Sequence, residues 1–207
     1  MKIAVSGSQN CGKTTFIEEF KKRWPMYVSP EHTYRDIIKQ NPHMGLNKGA
    51  TVDSQHLILE ALIVEAKLAK DTKHVIFDRC VIDNLAYSLW LNAHEKIEDD
   101  YITDIKYKIR DALSLYDIIF YLPLHKDIPL VERETRDLDP VFRTEVDYIF
   151  KALVSSYETQ ADAFFPVDSS PAVITLDGPP DMRVEQARLY IKENGNSFAE
   201  EDGSLLS

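Results

Sequence analysis

The chain has 207 residues, with 24 Lys and Arg against 34 Asp and Glu and a formal charge of -10. That length buries a core without disulfide staples, and the acidic balance argues against nucleic acid and anionic membranes as partners. Two cysteines, Cys11 and Cys80, fit neither a disulfide framework nor a zinc site, and no apolar run approaches the ~20 residues that span a bilayer. A soluble cytoplasmic protein acting on a small molecule is expected.

In chain order, Lys2 to Ser6 is a short apolar run expected as a strand, and Lys13 to Arg23 sets Phe16, Ile17 and Phe20 at helical spacing. Met26 to Ser29, bounded by Pro25 and Pro30, is expected as a second strand, followed by a helix from Thr33 to Gln40. His43 to Ala50 is expected as loop. Asp53 or Ser54 caps a long helix whose apolar stripe is Leu57, Ile58, Ala61, Leu62 and Leu68. His74 to Asp78 is a third strand and Ile82 to Leu91 a further helix. Tyr101, Ile105, Ile109, Ala112 and Leu113 mark an amphipathic helix before the buried strand Asp117 to Leu122. A helix from about Phe142 carries Val146, Ile149, Phe150, Leu153, Tyr157 and Phe164 on one face. Ala172 to Leu176 is a fifth strand, and a last helix runs from Pro180 to about Glu193. Five apolar strands alternating with helices predict one three-layer α/β domain over 1–193, a parallel sheet covered on both faces, and a mobile tail over 194–207.

Gly7 to Thr14 reads GSQNCGKT, a full match to G-x-x-x-x-G-K-[ST], set between a predicted strand and a predicted helix. Such a loop turns backbone N–H groups of Gly7, Ser8, Gln9, Asn10, Cys11 and Gly12 toward phosphates at a helix N-terminus. Lys13 adds a point charge, Thr14 offers a hydroxyl to Mg2+, and Thr15 reaches the α phosphate. ATP and Mg2+ are the expected cofactors.

With that loop, the chain resembles the P-loop nucleoside and nucleotide kinases: thymidylate kinases, deoxynucleoside kinases and nicotinamide riboside kinase domains. The resemblance implies a P-loop fold with an arginine-bearing lid, here about 126–143, and phosphoryl transfer from ATP. It is carried further by VIFDRCVIDNLAYSL, similar to the D-R-Y-x-x-S-x-x-A-Y stretch of thymidylate kinases, with Cys80 as a departure. By that likeness Asp78 holds a Mg2+ water, Arg79 bridges the acceptor and the transferred phosphoryl group, and Asp83 and Tyr87 help bind substrate. Asp78 and Arg79 also have a plain alternative as a surface ion pair.

Glu31 and Arg35 follow the second strand, where the family carries a proton-accepting glutamate and a substrate-holding arginine; Glu31 equally suits the N-terminal end of a helix. In ERETRDLDPVFRTEVD, Arg136 and Arg143 correspond to lid arginines that neutralise spreading charge, or pair with the interleaved carboxylates of a solvated loop. Gly178 and Pro179 resemble the loop that packs on adenine. The implied acceptor is a nucleoside monophosphate, with a nucleoside or nicotinamide riboside as the alternative; a homodimer is compatible. A regulatory ATP-binding module or NTPase without a small-molecule acceptor is the competing class.

Overall fold

A computed structural model describes residues 1–128, 138–159 and 171–198. Four parallel strands, β1 (Lys2–Ser6), β2 (Val75–Asp78), β3 (Ile118–Tyr121) and β4 (Ala172–Thr175), form a sheet in the order β2-β1-β3-β4. Period-two alternation distributes each strand between two cores. Ala4, Val75, Phe77, Ile119 and Tyr121 face one layer, while Ile3, Val5, Ile76, Ile118 and Phe120 face the other.

The larger core is closed by α3 (Val52–Leu68), α4 (Val81–Ala93), α5 (Asp99–Leu113) and α6 (Pro140–Thr159), the smaller by α1 (Lys13–Arg23) and α7 (Pro180–Ala187). Helix α2 (Tyr34–Gln40) lies against α3. Helices α2, α3 and α6 start where side-chain oxygens satisfy orphan N–H groups. Thr33 and Asp36 form a capping box on α2, and Thr51 with Ser54 does so on α3, so the cap of α3 lies just before the expected Asp53 or Ser54. Asp139 accepts from the N–H of Val141 at 2.8 Å and starts α6 two residues before Phe142.

Three expectations change. Among the described residues the sheet has four strands, not five: between Pro25 and Pro30 only Val28 pairs, bridging to Val75 at the β2 edge, because the Tyr27 N–H turns back to the Trp24 carbonyl and does not extend the ladder. On α3, Leu57 and Leu68 point outward, and Leu59, Leu62, Ile63 and Ala66 carry the burial. Helix α7 ends at Ala187, and 194–198 fold back instead of leaving as a tail: Ile191 bridges Ser197, and the Tyr27 hydroxyl donates to the Gly195 carbonyl at 2.7 Å. The expected lid, including Arg136, and Phe164 lie wholly or largely outside the described residues, so the arginine lid is not part of the observed fold. No helix among the described residues is long and apolar enough to cross a membrane.

Candidate active site

The carboxyl ends of β1, β2 and β3 deliver Ser6, Asp78 and Leu122 to one edge of the sheet, the usual place for a ligand in a parallel α/β fold. From Ser6 the chain turns through 7–12 into α1. The turn needs glycine at its start: Gly7 has φ +145°, and a Cβ there would lie 2.5 Å from the Leu122 carbonyl oxygen. Gly12 closes the turn at φ +93° as the N-cap of α1. Lys13 is buried, its Nζ donating to the carbonyls of Gly7 at 2.6 Å and Ser8 at 2.8 Å.

A cavity of about 820 Å³ opens from this turn. Its wall on one side is Gln9, Asn10, Gly12, Lys13, Thr14 and Thr15; α2, α3 and α4 contribute Tyr34, Arg35, Ile38, Gln55, Ile58, Leu62, Asn84 and Tyr87. Asp78, Arg79 and Asp83 line it as well. Arg35 donates to Asp78 Oδ2 at 2.7 Å, which leaves Asp78 Oδ1 buried with no hydrogen-bond partner among the described residues.

Arg79 sits at φ +93°, unusual for a residue with a side chain. Its guanidinium lies 5.5 Å from the Tyr34 ring centroid and 5.2 Å from that of Tyr87, and its Nε donates to the Tyr34 hydroxyl at 2.8 Å. Two aromatic faces and a hydroxyl thus fix a planar cation in one orientation. Tyr87 in turn accepts from the Gln9 N–H at 3.1 Å, which ties this clamp to the phosphate loop.

Asp83 is almost fully buried and takes the Ser6 hydroxyl at 2.7 Å and the Cys80 N–H at 3.1 Å. Burial raises its pKa against the pull of Arg79 and Lys13. Oδ2 of Asp83 is engaged by β1 and by the first turn of α4, while Oδ1 takes Arg79 Nη1 at 3.5 Å, so Asp83 orients Arg79 at the wall of the cavity that it lines. Burial also pushes the Cys80 thiol up to about 12, which keeps it protonated and unreactive.

The structure brings together Gln9, Asn10, Gly12, Lys13, Thr14, Thr15, Arg35, Asp78, Arg79, Asp83 and Tyr87 around one cavity. Gly7, Ser8 and Cys11 shape the loop without lining that cavity. Glu31 is exposed and outside it, because the chain after Pro30 spends its turn on the Thr33 cap of α2. Gly178 and Pro179 also lie outside the lining, which reaches only their neighbour Pro180. Arg143, expected in a lid, is on α6 and buried, donating to the carbonyls of Gln9 and Asn10, both at 3.3 Å. An arginine so engaged sits against the loop's backbone, not over the cavity.

Besides Tyr34, four residues have places in or behind the site that the sequence does not mark. Asn84 donates to both the backbone carbonyl and Oε1 of Gln55 at 2.9 Å, an amide pair lining the cavity between apolar neighbours. Polar residues on otherwise apolar helix faces are the signal that could have found them. Arg183 is fully buried on α7, and Glu65 is buried on α3.

Glu65 Oε2 accepts from the Tyr34 N–H at 3.3 Å while Oε1 has no partner among the described residues. Burial, with the nearby Asp78 charge adding to it, pushes the carboxyl up to about 7 from an ordinary 4.5, against the Tyr34 hydrogen bond. A raised carboxyl pKa means that the folded state holds the proton the unfolded state has lost. Its stabilising contribution is therefore complete below pH 4.5 and is lost as pH rises through 7. The expected outcome is that Glu65→Gln is more stable than the parent at pH 8, by an amount on the order of 2–3 kcal/mol, and equal to it near pH 4.5. Denaturant melts at the two pH values check this; a pH-independent difference would contradict it.

A protein-family model described as AAA domain matches residues 2–161. No curated protein sequence matches the chain. Among solved structures, deoxyadenosine kinase from M. mycoides with bound dATP superposes with a TM-score of 0.61 at 19% identity, covering 91% of this chain and 98% of that one. Thymidylate kinase from Candida albicans gives 0.60 at 16%, covering 89% and 88%. NadR protein in complex with NR gives 0.63 at 13%, covering 91% of this chain and 50% of its own. The fold is that of the P-loop nucleoside and nucleotide kinases.

Proposed function

The chain belongs to the AAA domain family, and from that membership and its site we propose that it transfers the γ-phosphoryl group of ATP to a nucleoside monophosphate. One observation carries this reading: the cavity is continuous from the phosphate loop to Arg35, Gln55, Asn84 and Tyr87, with room for a second small molecule facing the donor. A nucleotidase acting on water needs no such extension.

In this reading the amides after Gly7 and the ammonium of Lys13 hold the donor phosphates, Lys13 exchanging its two backbone carbonyls for phosphate oxygens. Hard oxygen donors at Thr14 and the unpartnered Oδ1 of Asp78 fit Mg2+, and these two residues would hold it, Asp78 through water. Bound there, the ion would neutralise charge on the β and γ phosphates. Arg79, fixed between two rings, meets the transferring group, and Arg35 anchors the acceptor phosphate. The aliphatic walls of Ile38, Ile58 and Leu62 with the Gln55–Asn84 amide pair suit a flat heterocycle.

A nucleoside acceptor is the second reading, favoured by Asp78 Oδ1 as a buried oxygen able to take a hydroxyl proton. ADP formation measured with and without acceptor tests the class: transfer requires the acceptor, whereas acceptor-independent hydrolysis at an equal rate would assign the chain to the NTPases.

A further inference from the structure

Five successive carbonyls of the phosphate loop are each held by a cation. Lys13 takes those of Gly7 and Ser8, and Arg143 takes those of Gln9 and Asn10. Arg183 takes that of Cys11 at 2.5 Å and, with its other terminal nitrogen, that of Pro123 after β3 at 2.6 Å. In a trans peptide the C=O of one residue and the N–H of the next point in opposite directions. Holding the carbonyls of Gln9, Asn10 and Cys11 therefore turns the N–H groups of Asn10, Cys11 and Gly12 away from the two guanidiniums.

Neither arginine has a carboxylate within ion-pair distance among the described residues, and Arg183 keeps a buried Nε without a hydrogen-bond partner. A guanidinium is retained in such a place only at a cost in desolvation, which carbonyl dipoles offset in part. Burial weighs against the charge of both, with Asp147 the acidic neighbour common to the two and Asp177 adding to Arg183. Asp147 is itself occupied by the Tyr121 hydroxyl, the Leu124 N–H and Lys151.

We propose that Arg143 and Arg183 are positioning residues for the donor: they grip the phosphate loop from behind, fix its amides for a polyphosphate, and lend it positive charge that no carboxylate among the described residues pairs directly. The inference rests on the phosphate-loop reading and not on the identity of the acceptor. A polyanion in the loop supplies negative charge that no described carboxylate places within ion-pair distance of these two side chains. Because the arginines come from α6 and α7, they also bind the loop to both layers of the fold.

The test uses inorganic tripolyphosphate with Mg2+ as probe, titrated calorimetrically into the full chain, alongside thermal melting and steady-state kinetics with ATP. Arg183→Met and Arg143→Met are each expected to weaken tripolyphosphate binding by about tenfold or more and to raise the KM for ATP more than they lower kcat. Arg183→Lys keeps the charge but not the two-carbonyl fork, so it should recover part of the affinity. Variants that melt earlier yet bind the probe with parental affinity while still folded would reduce both arginines to structural braces and overturn the proposal. If Arg183→Met does not fold, Arg143→Met and Arg183→Lys decide by the same comparison. A parent chain that transfers phosphate to no acceptor, while its probe binding still depends on both arginines, would refute the kinase reading and leave this one standing.

Discussion

Lys13→Ala is expected to lower phosphoryl transfer by about 10³-fold or more while leaving the fold intact, because the ammonium is the one side-chain charge at the start of α1 aimed into the phosphate turn. Its hydrogen bonds go to the Gly7 and Ser8 carbonyls and to the Cys11 sulfur of the same loop, so the truncated side chain strands no distant partner. Turnover and thermal melting measured on one preparation separate the two effects. A variant with near-parental turnover would contradict the assignment of the phosphate site.

Arg79→Ala is expected to cost as much, about 10³-fold in kcat/KM, the scale seen when a transition-state arginine is removed. Arg79→Lys should restore little of it, since a flexible ammonium cannot occupy the slot between the Tyr34 and Tyr87 rings as a plane does. Arg79→Gly supplies the control for the left-handed backbone: it relieves φ +93° and should be the most stable of the three, yet as inactive as Arg79→Ala. Equal activity of the Lys variant and the parent would show that only charge, not orientation, matters there. Full activity of all three would remove Arg79 from the reaction.

Much of the fold was legible because its signals are local. Lys2–Ser6, the glycine-bounded turn and the Phe16, Ile17, Phe20 spacing are contiguous in sequence, and the structure keeps them as β1, loop and α1. The second strand was misjudged because composition speaks for extended backbone, whereas a strand needs a partner ladder, and Val28 alone finds one. Leu57 and Leu68 show the same limit: helical periodicity marks apolar positions, and tertiary packing then chose the face bearing Leu59, Leu62, Ile63 and Ala66.

In the site, residues adjacent to strand ends were readable and those reaching in from elsewhere were not. Asp78 ends β2, Arg79 follows it, and Lys13 opens α1 after the short turn that leaves β1. Arg183, 172 residues from its Cys11 partner, looks in sequence like any helix-surface arginine. Tyr34 falls without distinction inside the helix expected from Thr33 to Gln40, and only the fold sets its hydroxyl on Arg79. Arg143 corresponds by resemblance to a lid arginine, but its burial against the loop carbonyls redirects it from closing over the donor to shaping the loop. Glu31 matches the family's glutamate by resemblance, but it is exposed after Pro30, whereas Asp78 lines the cavity and has a buried oxygen without a partner among the described residues.

One cavity is expected to hold both a phosphate donor and a separate small acceptor. Incubating the chain with γ-labelled ATP, Mg2+ and a panel of nucleosides and nucleoside monophosphates, then following the label, tests it most directly. The account predicts label in a phosphorylated member of the panel, with little inorganic phosphate and with transfer abolished in Lys13→Ala. Label released only as inorganic phosphate, at a rate indifferent to every acceptor, would contradict it.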